Sequence, residues 1–289
     1  MIYYGMVNTS RSSAYTLPAL QSFFRHTPLG AEDRFFLIDN DGDFALPSGF
    51  ERVEIIRNAE PRGFAANVNQ VILRARDAGA DVIFPNNDVI FTRGWLDPLI
   101  RRDDAILLPL CNQFRLYDHG SLHLAPAMDL DDFLGKDEDL DRIVEQHGRE
   151  IDVDFANTLH MSFFCFRIPR RVYAEIGLFD EKFGRGGGED VDYRIRAHLA
   201  GFEVMMAARS YLLHFMGKST WRGGEDAEQI KRRNEAYVGY FAQKWGADLA
   251  RVFLFSPDWQ ASAVQFGIQT EIESGDYATA IRRLLARRA

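Results

Sequence analysis

The sequence predicts an α/β protein built on a mainly parallel sheet. Short apolar runs alternate with stretches whose apolar residues recur at helical spacing, and several of those runs stop abruptly in Asp, Asn and Gly. The bulk composition agrees: 289 residues, 46% hydrophobic and 26% charged, suffice for one large domain or for one domain with a small appendage.

Ile2 to Val7 reads as a strand ending at Asn8-Thr9-Ser10-Arg11, and Ala14, Leu17, Leu20, Phe23 and Phe24 then mark a helix. Arg34 to Ile38 is a second buried strand, closed by Asp39-Asn40-Asp41-Gly42-Asp43. Acids at the C-terminal end of a strand lie where open α/β sheets bind ligands, although a plain Asx/Gly turn has the same composition. Val53 to Ile56 is a short third strand. After Pro61-Arg62-Gly63, the residues Ala65, Val68, Val71, Ile72 and Ala75 form one helical face that Gly79 ends. Asp81 to Pro85 is a central strand delivering Asn86-Asn87-Asp88, and Val89 to Phe91 is strand-like. The resulting βαββαβ order is a nucleotide-binding pattern. Further on, Met161 to Ile168 reads as a strand, and a glycine loop from Gly184 to Gly188 runs into an acidic helix start, Glu189-Asp190-Val191-Asp192. Carboxylates there are favoured by the free N–H groups and the helix dipole, so capping competes with catalysis as their explanation. A helix from Glu225 to Trp245 should pack over the sheet.

The net charge of −8 argues against a general nucleic-acid binder, which needs a basic face. Two distant cysteines, Cys111 and Cys165, indicate neither a disulfide framework nor a zinc site and fit a reduced, cytoplasmic setting. The N-terminus lacks a basic leader, and no apolar run reaches the roughly 18 residues of a membrane span. There is no Gly-x-Gly-x-x-Gly after the first strand and no P-loop, so phosphate must be held otherwise. Mn²⁺ or Mg²⁺ at Asp88 would do so, because such ions take one or two protein carboxylates and complete their shell with phosphate oxygens and water.

Six segments, in order, resemble the motif series of family 2 glycosyltransferases of the GT-A fold, closest to the rhamnosyltransferase-like branch. They are Asp39 to Asp43, Gly63 to Asn67, Asn86-Asn87-Asp88, Gly177 to Glu181, Glu189 to Asp192 with Arg194 and Arg196, and His214 with Gly217-Lys218-Ser219. The resemblance spans residues 2 to about 245. It implies a mixed, mainly parallel sheet flanked by helices in a GT-A domain over 1–248, with a C-terminal helical extension over 249–289. It also implies transfer of a sugar from a nucleotide-diphospho-sugar to a glycan or lipid-linked glycan, as in the synthesis of cell-envelope polysaccharide.

The same resemblance assigns roles. Asp190 becomes the general base, with Glu189 beside it. Asp88 and His214 become the ligands of the divalent cation, Asn86 standing where a full Asp-x-Asp would have its first acid. Asn8, Asp39, Asp41, Arg62, Asn67, Asn86, Asn87, Gly187, Gly188, Arg194, Lys218 and Ser219 become the donor-binding set, and Arg185 a candidate for touching the acceptor. Plain structural explanations stand beside these: His214 as a satisfied strand-end histidine, and Arg194 and Arg196 as partners of Asp190 and Asp192 at i+4.

Residues 111–158 are the least family-like. Asp129, Asp131, Asp132, Asp137, Glu138, Asp139 and Asp141 make them an acidic insertion or lid near the acceptor side, or simply a solvated surface helix. Gly275 to Ile281 with Leu284 and Leu285 is similar to half a tetratricopeptide repeat and suggests docking or a homo-oligomer. Arg282, Arg283, Arg287 and Arg288 suggest a peripheral contact with the inner face of a membrane, or a solvated basic helix end. Two rival functions remain at this point: a nucleotidyltransferase, disfavoured because Asn8 to Arg11 has no glycine, and a catalytically idle nucleotide-sugar-binding subunit, suggested by Asn86.

Overall fold

The computed structural model describes residues 1–112, 129–218, 226–254 and 256–288. Its first half follows the expected order: β1 (Ile2–Asn8), α1 (Ser13–His26), β2 (Arg34–Asp39), β3 (Val53–Arg57), α2 (Phe64–Ala78), β4 (Asp81–Pro85) and β5 (Val89–Phe91). Burial explains the register. Phe35 to Ile38 and Val82 to Phe84 are almost inaccessible on both faces, as in a parallel sheet covered by helices, and α2 seats all five of its expected apolar residues.

The chain then adds α3 (Leu96–Leu99), β6 (Ala105–Cys111), α4 (Leu130–Phe133), α5 (Asp137–Glu150), β7 (Phe155–Asn157), β8 (Cys165–Ile168) and α6 (Arg170–Ile176). A 3-10 turn (Glu181–Phe183) leads to α7 (Glu189–Leu199) and β9 (Glu203–His214). The sheet order is β3-β2-β1-β4-β8-β6-β9-β5, with β7 paired to β9. β3, β2, β1 and β4 are parallel, as are β6 and β9, whereas β8, β5 and β7 join antiparallel. β6 and the twelve-residue β9 form the heart of the second half, and periodicity did not mark either. β6 carries Pro109 and β9 carries Ala207-Ala208-Arg209, so their local propensities argue against strand while burial between neighbours imposes it. The strand expected from Met161 begins only at Cys165, and 161–164 is instead a loop whose Phe164 carbonyl accepts the Asn86 N–H at 2.6 Å.

α8 (Ala227–Trp245) starts at a capping box formed by Asp226 and Gln229. It does not lie over the sheet. Its main neighbours are the 3-10 turn and α9 (Ala247–Phe253), from which the chain continues through α10 (Trp259–Gln265), α11 (Gln269–Ser274) and α12 (Tyr277–Ala286), the last packing on α7 and α9. Among the described residues the buried apolar side chains form two clusters, one around the sheet and one joining α7, α8 and α9 to α12. Val191 and Ile195 of α7 belong to the second, together with Phe241, Val252, Ile268, Ile281 and Leu284. Residues beyond 248 therefore share a core with the acidic helix, and the apolar face of α12 is spent inside the chain. All four terminal arginines also find partners within the chain: Arg287 pairs with Asp248 at 3.0 Å, Arg283 with Glu271, Arg288 donates to the Lys244 and Gln243 carbonyls, and Arg282 to the Leu199 carbonyl at 3.4 Å.

Candidate active site

α7 enters the site through glycines whose backbone excludes side chains. Gly186, Gly187 and Gly188 have φ of 144°, 121° and 82°. A Cβ on Gly187 would lie 2.5 Å from the Tyr237 ring of α8, and one on Gly63 would lie 1.9 Å from the Gly184 carbonyl. The Phe64 N–H also donates to the Arg185 carbonyl at 3.2 Å. The loop is thus clasped between the start of α2 and the side of α8, and its close approach is to Tyr237.

The clasp sets two adjacent carboxylates in unlike surroundings. Glu189 is buried and accepts the Gly187 N–H, whereas Asp190 is half-buried and accepts the N–H groups of Val191 at 2.8 Å and Phe163 at 3.4 Å. Burial, followed by the neighbouring Asp190 charge, pushes the Glu189 carboxyl well above its ordinary range. Burial also raises Asp190, against the opposing charge of Arg194 and its two N–H donors. Asp192 is wholly inside, bound to Arg196 at 2.9 Å, Trp245 Nε1 at 2.8 Å and Lys244 at 2.6 Å, which fastens α7 to α8.

The second element of the site is the junction of β5 and β9. Asp88 and His214 are both buried, and the Asp88 carboxylate lies 3.4 Å from His214 Nε2. Val89 pairs with His214 across the strands, and the imidazole stacks on Phe164 with ring centres 4.6 Å apart. Burial would raise the Asp88 carboxyl, but the His214 contact and the Lys218 N–H, which donates to Oδ2 at 2.9 Å, hold it below the usual carboxylate range. A carboxylate oxygen and a ring nitrogen facing each other at a strand junction suit a divalent cation that draws its other ligands from a substrate and water. Among the described residues there is no group of three or more His, Cys, Asp or Glu side chains placed to hold a metal unaided.

Both elements line one cleft of about 360 Å³. Its lining includes Glu189 and Asp190, Asn86 and His214, and Ser162, Phe163, Phe164, Met216 and Tyr237. Met216 is, outside glycine, the one described residue with positive φ, at 51°.

Several expected donor contacts are engaged inside the chain. Asp39 is fully buried and accepts from Gly42 and Phe44 N–H groups and from Arg57 at 2.7 Å, which closes its turn. Asp41 accepts from the Ser10 hydroxyl at 2.8 Å. Asn67 joins Asn40, Asn58 and Gln70 in an amide network that holds the Arg62 backbone, so Arg62 is presented at the loop while Asn67 scaffolds it. Asn8 and Asn87 are inaccessible and share Thr16, with Asn87 also on Ser12. The Arg194 guanidinium is engaged in the same way: the residue is 1% exposed, and it donates to the carbonyls of Thr158 and Met161. Arg196 pairs with Asp192, as the i+4 alternative had it. Lys218 forms an ion pair with Asp129, at the start of α4, and Phe133 of α4 packs on Phe215 with ring centres 6.1 Å apart. The acidic segment therefore leans on the Asp88–His214 side. Ser219 and residues 113–128 lie outside the described residues. Tyr237, Phe163 and Ser162 escaped sequence reasoning because no motif holds them; Tyr237 was legible only as one position on the apolar face of α8.

No family model matches the chain, and no curated protein sequence does. Solved structures match in fold. GalNAc-T7, crystallised with UDP, GalNAc and Mn²⁺, aligns over 98% of this chain with a TM-score of 0.60 and 14% identity, and the chain spans 55% of that protein. Residues 1–349 of TarS from S. aureus, in complex with UDP-GlcNAc, align over 96% of this chain and 73% of theirs, with TM-score 0.51 and 14% identity. A mannosyltransferase from Pyrobaculum calidifontis, in complex with GDP-Man and Mn²⁺, aligns over 99% and 85%, with TM-score 0.50 and 12% identity. Against the longer chain of S. aureus TarS this chain covers 43% of the length. At these identities the likeness establishes the fold: this chain has the GT-A fold found in glycosyltransferases.

Proposed function

We propose that this chain is a glycosyltransferase that moves a sugar from a nucleotide-diphospho-sugar to a glycan or lipid-linked glycan, with inversion at the anomeric carbon. The observation that carries it is one cleft lined both by a carboxylate pair on a helix start and by His214, whose imidazole faces the buried Asp88 carboxylate at a strand junction. Asp190 takes the proton of an acceptor hydroxyl as that oxygen forms its bond to the anomeric carbon. The bond from that carbon to the diphosphate oxygen breaks on the opposite face, and the nucleoside diphosphate leaves with the electron pair. Asp88 and His214 would hold a divalent cation, which when bound neutralises charge growing on the leaving diphosphate. Lys218 and Arg62 are the cations assigned to assist it. Asp39, Asp41, Asn8, Asn67 and Asn87 support it from behind, by fixing the loops at the strand ends. The solved neighbours bound to UDP, UDP-GlcNAc or GDP-Man support the donor class.

Among the described residues no helix is long and apolar enough to cross a membrane. A lipid-linked acceptor would therefore be met at a membrane surface.

The test is release of nucleoside diphosphate from UDP-, GDP- and dTDP-sugars with Mn²⁺ or Mg²⁺, with and without glycan acceptors, followed by the anomeric configuration of any product. Acceptor-dependent release with an inverted product is expected. Binding of a donor without release from any of them would make the chain an idle binding subunit, as Asn86 suggested. Pyrophosphate as product would make it a nucleotidyltransferase.

A further inference from the structure

Two adjacent carboxylates at one helix start cannot both ionise cheaply, and something must decide which holds the charge. We propose that Arg194 is the positioning residue that decides it: its buried guanidinium, anchored on the carbonyls of Thr158 and Met161, is the counter-charge that places the single ionised carboxylate of the Glu189–Asp190 pair on Asp190. This rests on Asp190 being the base of the transfer proposed above.

The geometry is specific. Arg194 follows Asp190 by four residues, so the two share one face of α7, a turn apart. Glu189 has a different local donor, the Gly187 N–H. The guanidinium is seated rather than loose, with Nη2 on the Met161 carbonyl at 2.5 Å, Nη1 on the Thr158 carbonyl, and its Cζ 5.5 Å from the centre of the Phe163 ring. The segment it grips is the one that turns the Phe163 N–H toward Asp190. A single side chain thus supplies the charge and holds a hydrogen-bond donor in place. A guanidinium suits both tasks, because its fork satisfies two carbonyls while the charge persists when buried.

Other ionisable groups face this pair or its arginine. His160, on the gripped segment, and His198, on α7, lie near Arg194, and burial lowers both, His198 to about 3, so neither is a cation at neutral pH. Tyr277 of α12 faces Arg194, and its phenol is raised by burial. Arg233 and Tyr237 of α8 face Glu189. Arg233 is half-exposed, where solvent screens it, so it opposes Arg194 only weakly.

The experiment reads the carboxyls directly and needs no transfer activity. Protein labelled with ¹³C at Asp and Glu carboxyl carbons is titrated by NMR, the two signals being assigned with Asp190→Asn and Glu189→Gln. In the wild type Asp190 is expected to ionise first. In Arg194→Gln its titration should move up by about one to three pH units, the range an adjacent arginine commands, and Arg194→Lys should recover most of that shift. Glu189 ionising before Asp190 in the wild type would overturn the proposal, and so would an Asp190 titration unchanged in Arg194→Gln. The wild-type measurement alone decides if that variant does not fold. If the order holds and Arg194→Gln moves the Asp190 titration while no sugar is transferred, the functional reading fails and the role of Arg194 stands.

Discussion

Asp129→Asn isolates the contact between the acidic segment and the donor side. In the structure Lys218 is spent on Asp129, so a diphosphate that uses Lys218 must first displace a carboxylate. The two side chains are 37% and 60% exposed, which places the pair among surface salt bridges worth about 0.2 to 1 kcal/mol. Removing that competition should tighten binding of a nucleoside diphosphate by about 1.4 to 5-fold, from RT of about 0.6 kcal/mol. Asparagine caps a helix as well as aspartate does, so α4 should keep its start, and the Phe133–Phe215 contact is untouched. Calorimetry with UDP and GDP in the presence of Mn²⁺, at low salt and near 1 M salt, measures it. The advantage of the variant should shrink at high salt, where the screening length falls to about 3 Å. Equal or weaker binding by the variant at low salt would show that Lys218 is not contested and would refute the reasoning.

Three other outcomes are expected. Asp190→Asn should lower transfer by about 10² to 10⁴-fold while leaving donor affinity within a few-fold, since a general base acts on the acceptor; an equal loss of donor binding, read by calorimetry, would contradict that role. Asp88→Ala should abolish the dependence of nucleoside diphosphate binding on Mn²⁺, and an unchanged dependence would place the cation elsewhere. Glu189, raised by burial, keeps a proton in the native state that the unfolded chain gives up, so its contribution to stability is present below its ordinary value of 4.5 and is lost as pH rises through its raised native value. Urea unfolding from about pH 5 to 8 should therefore show the wild type losing stability relative to Glu189→Gln, and parallel curves would exclude a raised Glu189.

The first half of the fold was legible because its helices and strands bury what their own periodicity offers, as the five apolar positions of α2 illustrate. β6 and β9 were not, since Pro109 and the Ala207-Ala208 step obey neighbours distant in sequence. The site was legible as a set of motifs but not as a geometry. Asp88, His214, Glu189 and Asp190 were all marked by residue type and place, and they do line or adjoin one cleft. Whether a polar residue faces that cleft or the scaffold behind it depends on long-range hydrogen bonds. Asp39, with three donors of its own, and Arg194, with two carbonyls, look the same in sequence as residues that wait for a ligand. Tyr237 is the converse case, a helix-face aromatic that Gly187 must be a glycine to accommodate.

The core shared by α7 and the last helices carries a consequence for synthesis. Val191 and Ile195 hold the back of the acidic helix against Phe241, Ile281 and Leu284, residues made about 50 to 90 positions later. On the ribosome the sheet and the donor-side strand ends can assemble while α7 still lacks its backing. The carboxylates of Glu189 and Asp190 then acquire their buried setting only after α12 has emerged. Nascent chains arrested before Tyr277 should accordingly hold a protease-resistant N-terminal half around β1 to β4 and a cleavable loop at Gly184 to Gly188.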